Sequence, residues 1–186
     1  MVGNMSNAEC SNKFECGACY RLVCHTMTQK AACLERLATQ PGTAIVAQNG
    51  GLLNHLSVRE NLLLPIAYQE PVVGQLKLEL ERDMTELLGA CLDLPSFTAR
   101  QSWLDRSPSA LSMLEKRLAG FIRALLFRPE ILVFDHVFEG LGRIEINHVL
   151  SWRQFFHCCF PFRTLIFVDL DSNALPELTE CSTIAP

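Results

Sequence analysis

The chain has 186 residues, 49% of them hydrophobic and 19% charged, and a formal net charge of -4, enough for one domain with a sizeable core. The acidic balance and the lack of a basic cluster exclude a nucleic-acid footprint, and no uninterrupted apolar run is long enough to span a bilayer. Nine cysteines, without a basic patch and apolar stretch at the N-terminus, predict reduced thiols that are mostly small buried residues.

In chain order, residues 17–23 (GACYRLV) read as a short strand. A loop over 24–30 ends at Lys30, and 31–38 (AACLERLA) reads as a helix. A short link, 39–43, leads to a second strand, AIVAQ, ending at Gln48. Asn49-Gly50-Gly51 is a turn, and Ser57 with Glu60 three residues later has the pattern of a capping box. Residues 72–92 form a helix with Leu76, Leu80, Met84, Leu87 and Leu88 on one stripe, the pattern of a core or packing face. Residues 95–106 read as a polar linker in which Trp103 is a buried anchor or an interface residue, and 107–117 as an ordinary N-capped helix.

From 118 to 126 the residues Leu118, Phe121, Ile122, Leu125 and Leu126 recur at helical spacing, and Pro129 follows the helix. Ile131-Leu132-Val133-Phe134 is a continuous apolar run, as in a parallel strand covered on both faces. Asp135 closes it at the edge where open α/β sheets bind ligands. A helix over 145–156, a turn over 157–161 and a buried strand over 163–168 complete the pattern.

Two segments carry a family resemblance. RALLFRPEILVFDHVFEGLG resembles the Walker B region of ABC-transporter ATP-binding subunits, and QNGGLLNHLSVRENLLLPIAY resembles their Q-loop and the segment after it. In the second, Gln48, Leu52, Leu56, Val58, Glu60, Asn61 and Pro65 fall in register. The resemblance spans about residues 17–184. It implies a single P-loop NTPase-like α/β domain over 1–186, three-layered with a mainly parallel sheet. It also implies a small helical subdomain over about 57–117, an irregular 1–14, and an antiparallel subdomain reduced or missing at 39–43.

The departures fall on chemistry. On the alignment Lys30 is the phosphate lysine, but CHTMTQKA contains no glycine to let backbone N–H groups approach a phosphate. Ala31 replaces the hydroxyl residue that would hold Mg²⁺, and His136 stands at the position of the catalytic glutamate. Gly142 replaces the last aspartate of the D-loop, Met113-Leu114 fill the place of the signature glycines, and Leu170 replaces the switch histidine. Lys30, Gln48 and Asp135 are thus implied as a vestigial nucleotide site with no assigned catalytic residue and no metal site. Leu52, Leu56, Val58 and Asn61 are implied as partner contacts.

The expected role is a degenerate, non-hydrolytic subunit docked on a membrane permease, paired with itself or with an active ATP-binding subunit. It would lie in the cytoplasm, held at the inner membrane through its partner. The alternatives are a working subunit that uses ATP and Mg with atypical motifs, and a soluble interaction scaffold unrelated to transport. The LP after the Q-loop helix and the FxG after Walker B point towards the Mla-type, phospholipid-transporting subset. Cys16-x-x-Cys19 with Cys24-His25 has no second pair to complete a zinc or redox site, and His157-Cys158-Cys159 reads as a turn with core cysteines.

Overall fold

In the computed structural model the described residues are 14–67, 75–91, 96–171, 176, 178 and 181–184. Five strands, β1 Cys19–Cys24, β2 Thr43–Val46, β3 Ile131–Asp135, β4 Thr164–Leu170 and β5 Ser182–Ile184, form one sheet in the order β2-β3-β4-β1-β5. Every pairing is parallel. A parallel sheet needs helices on both faces. Helix α1, Met27–Ala38, covers one face, burying Cys33 and Leu37 against Tyr20, Leu22, Val133, Ile166 and Val168. On the other face α5, Met113–Leu126, and α6, Arg143–Cys159, pack Phe121, Ile122, Trp152 and Phe156 onto Leu132, Phe134, Leu165 and Phe167. The alternation of side chains along each strand divides the core this way, and Phe121 stacks on Trp152 at its centre, 5.4 Å between ring centroids. Between β2 and α5 lie α2, Val58–Ala67, α3, Gln75–Cys91, and α4, Phe97–Leu104.

Several boundaries differ from the sequence expectation. Helix α1 begins at Met27 rather than at 31, because Thr26 is a good N-cap whose Oγ1 accepts from the Gln29 N–H at 3.1 Å. The presumed linker over 95–106 contains α4, capped by Ser96. Its Trp103 is buried and donates from Nε1 to Glu115 Oε1 at 3.0 Å. Helix α6 runs through Cys159, so His157-Cys158-Cys159 is helical rather than a turn. The thiols are not all free: Cys19 and Cys181 are joined in a disulfide across 162 residues of sequence. The short strand β5 gave no distinct pattern in the sequence. The expected irregular 1–14 lies outside the described residues apart from Phe14, whose ring packs on Tyr20.

The helix expected over 107–117 starts instead at Met113, after a 3-10 turn at Pro108–Ala110, with Ser112 as its cap. Ser112 Oγ accepts from the Glu115 N–H, and the Glu115 carboxylate accepts from the Ser112 N–H at 2.7 Å. No helix among the described residues is long and apolar enough to cross a membrane.

Candidate functional site

All strands run the same way, so their C-terminal ends collect Cys24, Val46, Asp135 and Leu170 at one edge. This is the edge where α/β sheets of this kind hold ligands. Lys30, buried in the first turn of α1, places Nζ 2.5 Å from Asp135 Oδ1. The side chains are only 6% and 16% exposed, so the pair is shielded from water. Lysine and aspartate therefore neutralise each other directly, with no third group between them.

The approach to Lys30 is short. Only His25 and Thr26 separate the end of β1 from the start of α1. Three N–H groups of this turn are engaged within it. Gln29 N donates to Thr26 Oγ1, Lys30 N donates to the Thr26 carbonyl at 3.0 Å, and His25 N donates to Gln29 Oε1 at 2.8 Å. A helix N-terminus attracts an anion through its unsatisfied N–H groups, and here the Thr26 side chain takes that of Gln29, while Lys30 N makes the first regular helical bond. The adjoining Ala31 has no hydroxyl for a metal.

Gln48 lies just beyond β2. Its side-chain amide donates to Glu139 Oε2, and its carbonyl accepts from Arg117 Nε at 2.6 Å. Arg117 is almost fully buried and also donates to the Glu139 carbonyl at 2.7 Å, so it fastens the turn after β3 to the turn after β2. Burial pushes the Arg117 guanidinium below its ordinary range, against the opposing pull of Glu139 and Glu145. An open cavity of about 680 Å³ lies between these turns, lined by Gln48, Asn49, Met113, Arg117, Asp135 and Glu139.

His136 follows Asp135 with φ +48°, a left-handed backbone that is uncommon outside glycine. Its N–H donates to the Val168 carbonyl at 2.8 Å, which holds the residue between β3 and β4. The buried ring has Asp169 Oδ1 at 3.5 Å from Nδ1 and Glu139 Oε2 at 3.6 Å from Nε2. Asp169 is wholly buried in β4 and pairs with Arg21 of β1, whose Nε and Nη2 lie 3.0 and 2.9 Å from Oδ2. Arg21, Asp169, His136, Glu139, Gln48 and Arg117 thus run as one chain of polar contacts across the sheet edge.

The expected site residues separate into groups. Lys30 and Asp135 come together, and Gln48 and His136 meet through Glu139. Val58 and Asn61 are fully buried, so the expectation that they touch a partner is corrected. Asn61 Oδ1 accepts from Leu53 N at 2.7 Å, and Nδ2 donates to the carbonyls of Leu53, Leu56 and Ser57. It shapes the loop from inside. Leu52 and Leu56 are half-buried, and the outward residues of that loop are Leu53, Asn54 and His55. The role of Arg21 escaped the sequence reading, although a lone arginine inside the apolar run CYRLVC signals a buried anion on a neighbouring strand. No group of three or more His, Cys, Asp or Glu side chains is arranged for a metal ion among the described residues.

No protein-family model matches the chain. Among curated proteins it is 30% identical over 135 residues to the molybdenum import ATP-binding protein ModC of Rhodobacter capsulatus, covering 73% of this chain and 33% of the relative. It is 35% identical over 112 residues to the sn-glycerol-3-phosphate import ATP-binding protein UgpC 1 of Rhizobium johnstonii, covering 60% and 27%. The chain spans about a third of the length of the curated relatives it matches. Among solved structures it superposes on cbiO1 of Clostridium perfringens, part of the ABC transporter complex cbiONQ, with a TM-score of 0.65 at 12% identity, covering 84% of this chain and 68% of that one. An inward-facing putative metal-chelate type ABC transporter gives 0.66 at 14% identity, covering 83% and 64%. The chain therefore has the α/β fold of the ABC ATP-binding subunits.

Proposed function

We propose that this chain serves an ABC import system as a nucleotide-binding-type subunit that has given up ATP hydrolysis and keeps its role in docking. The observation that carries this reading is the start of α1. Two residues stand where a phosphate cradle would be, and the N–H groups of Gln29 and Lys30 are bonded within the turn. The residues present do not fit ATP with Mg²⁺. Ala31 offers no hydroxyl, and Lys30 is committed to Asp135 at 2.5 Å. Phosphoryl transfer by P-loop enzymes rests on positioning and on charge stabilisation by such groups. Losing one preorganised donor costs on the order of a hundredfold in rate, and here several are replaced together.

Docking on a membrane permease is read from the loop after Gln48. Asn61 holds this loop through four hydrogen bonds, presenting Leu53, Asn54 and His55 outwards with Leu56 beside them. The helices α2, α3 and α4 form the helical subdomain behind it. The relatives are named for import of molybdenum and sn-glycerol-3-phosphate, which favours an importer over the phospholipid-transporting subset suggested by two short motifs. The test is a Mg-ATPase assay on the purified chain beside its Lys30→Ala variant, with capture of a permease subunit through a cross-linker placed at Leu53. Turnover indistinguishable from the variant's, with permease captured, is the expected result. Robust turnover that disappears in Lys30→Ala overturns it.

A further inference from the structure

Among the described residues the strand β2 pairs only with β3, so it lies at the edge of the described sheet. The Gly42 carbonyl accepts from Glu130 and Ile131 on the β3 side. Backbone groups alternate sides along a strand, so the N–H and C=O of Ile45 and the C=O of Thr43 face away from β3. An edge of this kind is a template for pairing with another chain.

A groove of about 220 Å³ runs along that edge, lined by Thr43, Ala44, Ile45, Pro65, Gly120 and Arg123 among others. Arg123 is a half-buried cation with an unusual setting. Its Nη1 and Nη2 donate to the carbonyls of Gly51 and Gly50 at 2.9 and 3.2 Å, and no carboxylate pairs with it among the described residues. Burial alone pushes its pKa down, with no opposing charge. A desolvated guanidinium held only by carbonyls favours a carboxylate in the same groove.

We propose that the β2 edge receives an extended peptide segment of a partner protein, added parallel to β2, with its C-terminal carboxylate on Arg123. Direction follows from position. Arg123 is fastened to Gly50 and Gly51, which lie beyond the C-terminal end of β2. A strand running parallel to β2 brings its own C-terminus there. Main-chain bonds to Thr43 and Ile45 supply affinity, and the groove beside Ala44 and Pro65 takes small apolar side chains, the usual division of labour in strand addition. This site is separate from Lys30 and does not depend on whether ATP binds.

The test uses the full chain, labelled with ¹⁵N, and the peptide acetyl-Val-Thr-Val-Thr-Val with a free carboxylate, beside its carboxamide. The free acid is expected to shift the amide resonances of Ala44, Ile45 and Val46 saturably, and those of Ala44 and Val46 report binding in the Ile45→Pro chain. The carboxamide should bind about tenfold or more weaker, the size of one charge-assisted hydrogen bond. Ile45→Pro removes the outward N–H without breaking the β3 ladder and should abolish binding. Arg123→Gln should make acid and amide equal. Equal binding of acid and amide to the unmodified chain overturns the proposal, as does a peptide response unchanged in Ile45→Pro. Self-association of the peptide-free chain that Ile45→Pro removes overturns it as well, since a second copy would then occupy the edge.

Discussion

Replacing Lys30 by methionine removes the partner of Asp135, whose side chain is only 16% exposed and sits 2.5 Å from Nζ. An aspartate left unpaired in that setting keeps its desolvation cost and loses its compensation. Breaking one half of a shielded pair costs about 3 kcal/mol or somewhat more. In a domain of this size that is a fall in Tm of roughly 6–12 °C. Removing both charges, in Lys30→Met with Asp135→Asn, leaves no orphan, and the double variant should lose less than either single one. Urea denaturation of the four proteins gives the cycle, and the coupling energy should exceed about 1.5 kcal/mol. Additive losses, or single variants within about 0.5 kcal/mol of the parent, would show that the two groups do not neutralise each other in solution. The outcome bears on function, because a lysine already satisfied by aspartate offers little to a phosphate.

Further expectations follow the same logic. Arg21→Met strands Asp169, a wholly buried carboxylate whose Oδ1 has no hydrogen-bond partner, and should cost about 3–5 kcal/mol in denaturant titration. Burial alone would raise Glu115. The Ser112 N–H, Trp103 and Arg106 outweigh burial and hold the carboxyl below its ordinary value. Its contribution is therefore complete above about pH 4.3 and lost as the pH falls through the lowered value. Glu115→Ala should cost about 2 kcal/mol at neutral pH, with a gap from the parent that narrows in acid. Alkylation followed by mass spectrometry should label the exposed Cys16 and Cys158 first. Cys91, pushed up to about 12 by burial and by Cys159, should react last among the free thiols together with Cys24 and Cys33, which burial also raises. Reducing the Cys19–Cys181 bridge should lower stability by about 2–4 kcal/mol, read from denaturation with and without reductant.

Much of the sheet was legible because its strands are apolar on both faces. The run Ile131-Leu132-Val133-Phe134 and the run over 163–168 could be placed without help from tertiary structure. The capping box at Ser57 and Glu60 was also legible, and the Ser57 N–H donates to Glu60 Oε2 at 2.7 Å while the Glu60 N–H donates to Ser57 Oγ. Local signals that compete were misread. Thr26 and Ser96 are ordinary polar residues in a sequence, and only the geometry makes them N-caps that extend α1 and create α4. The polar chain from Arg21 to Arg117 joins residues far apart in sequence, and no local spacing announces it. The partner-contact expectation failed at Val58 and Asn61 for a related reason. An asparagine in a helical motif looks equally suited to facing out or to holding a loop from inside, and four internal hydrogen bonds decide it here.

Titration of Mg-ATP into the purified chain, followed by calorimetry and by thermal melting, bears most directly on the loss of the nucleotide site. A ligand at a hundred times its dissociation constant stabilises a fold by about 2.7 kcal/mol, so even weak occupancy would register at millimolar nucleotide. The expected result is no saturable heat and an unmoved melting temperature, identical in Lys30→Ala. Saturable binding with a rise in melting temperature, both lost in that variant, would contradict it.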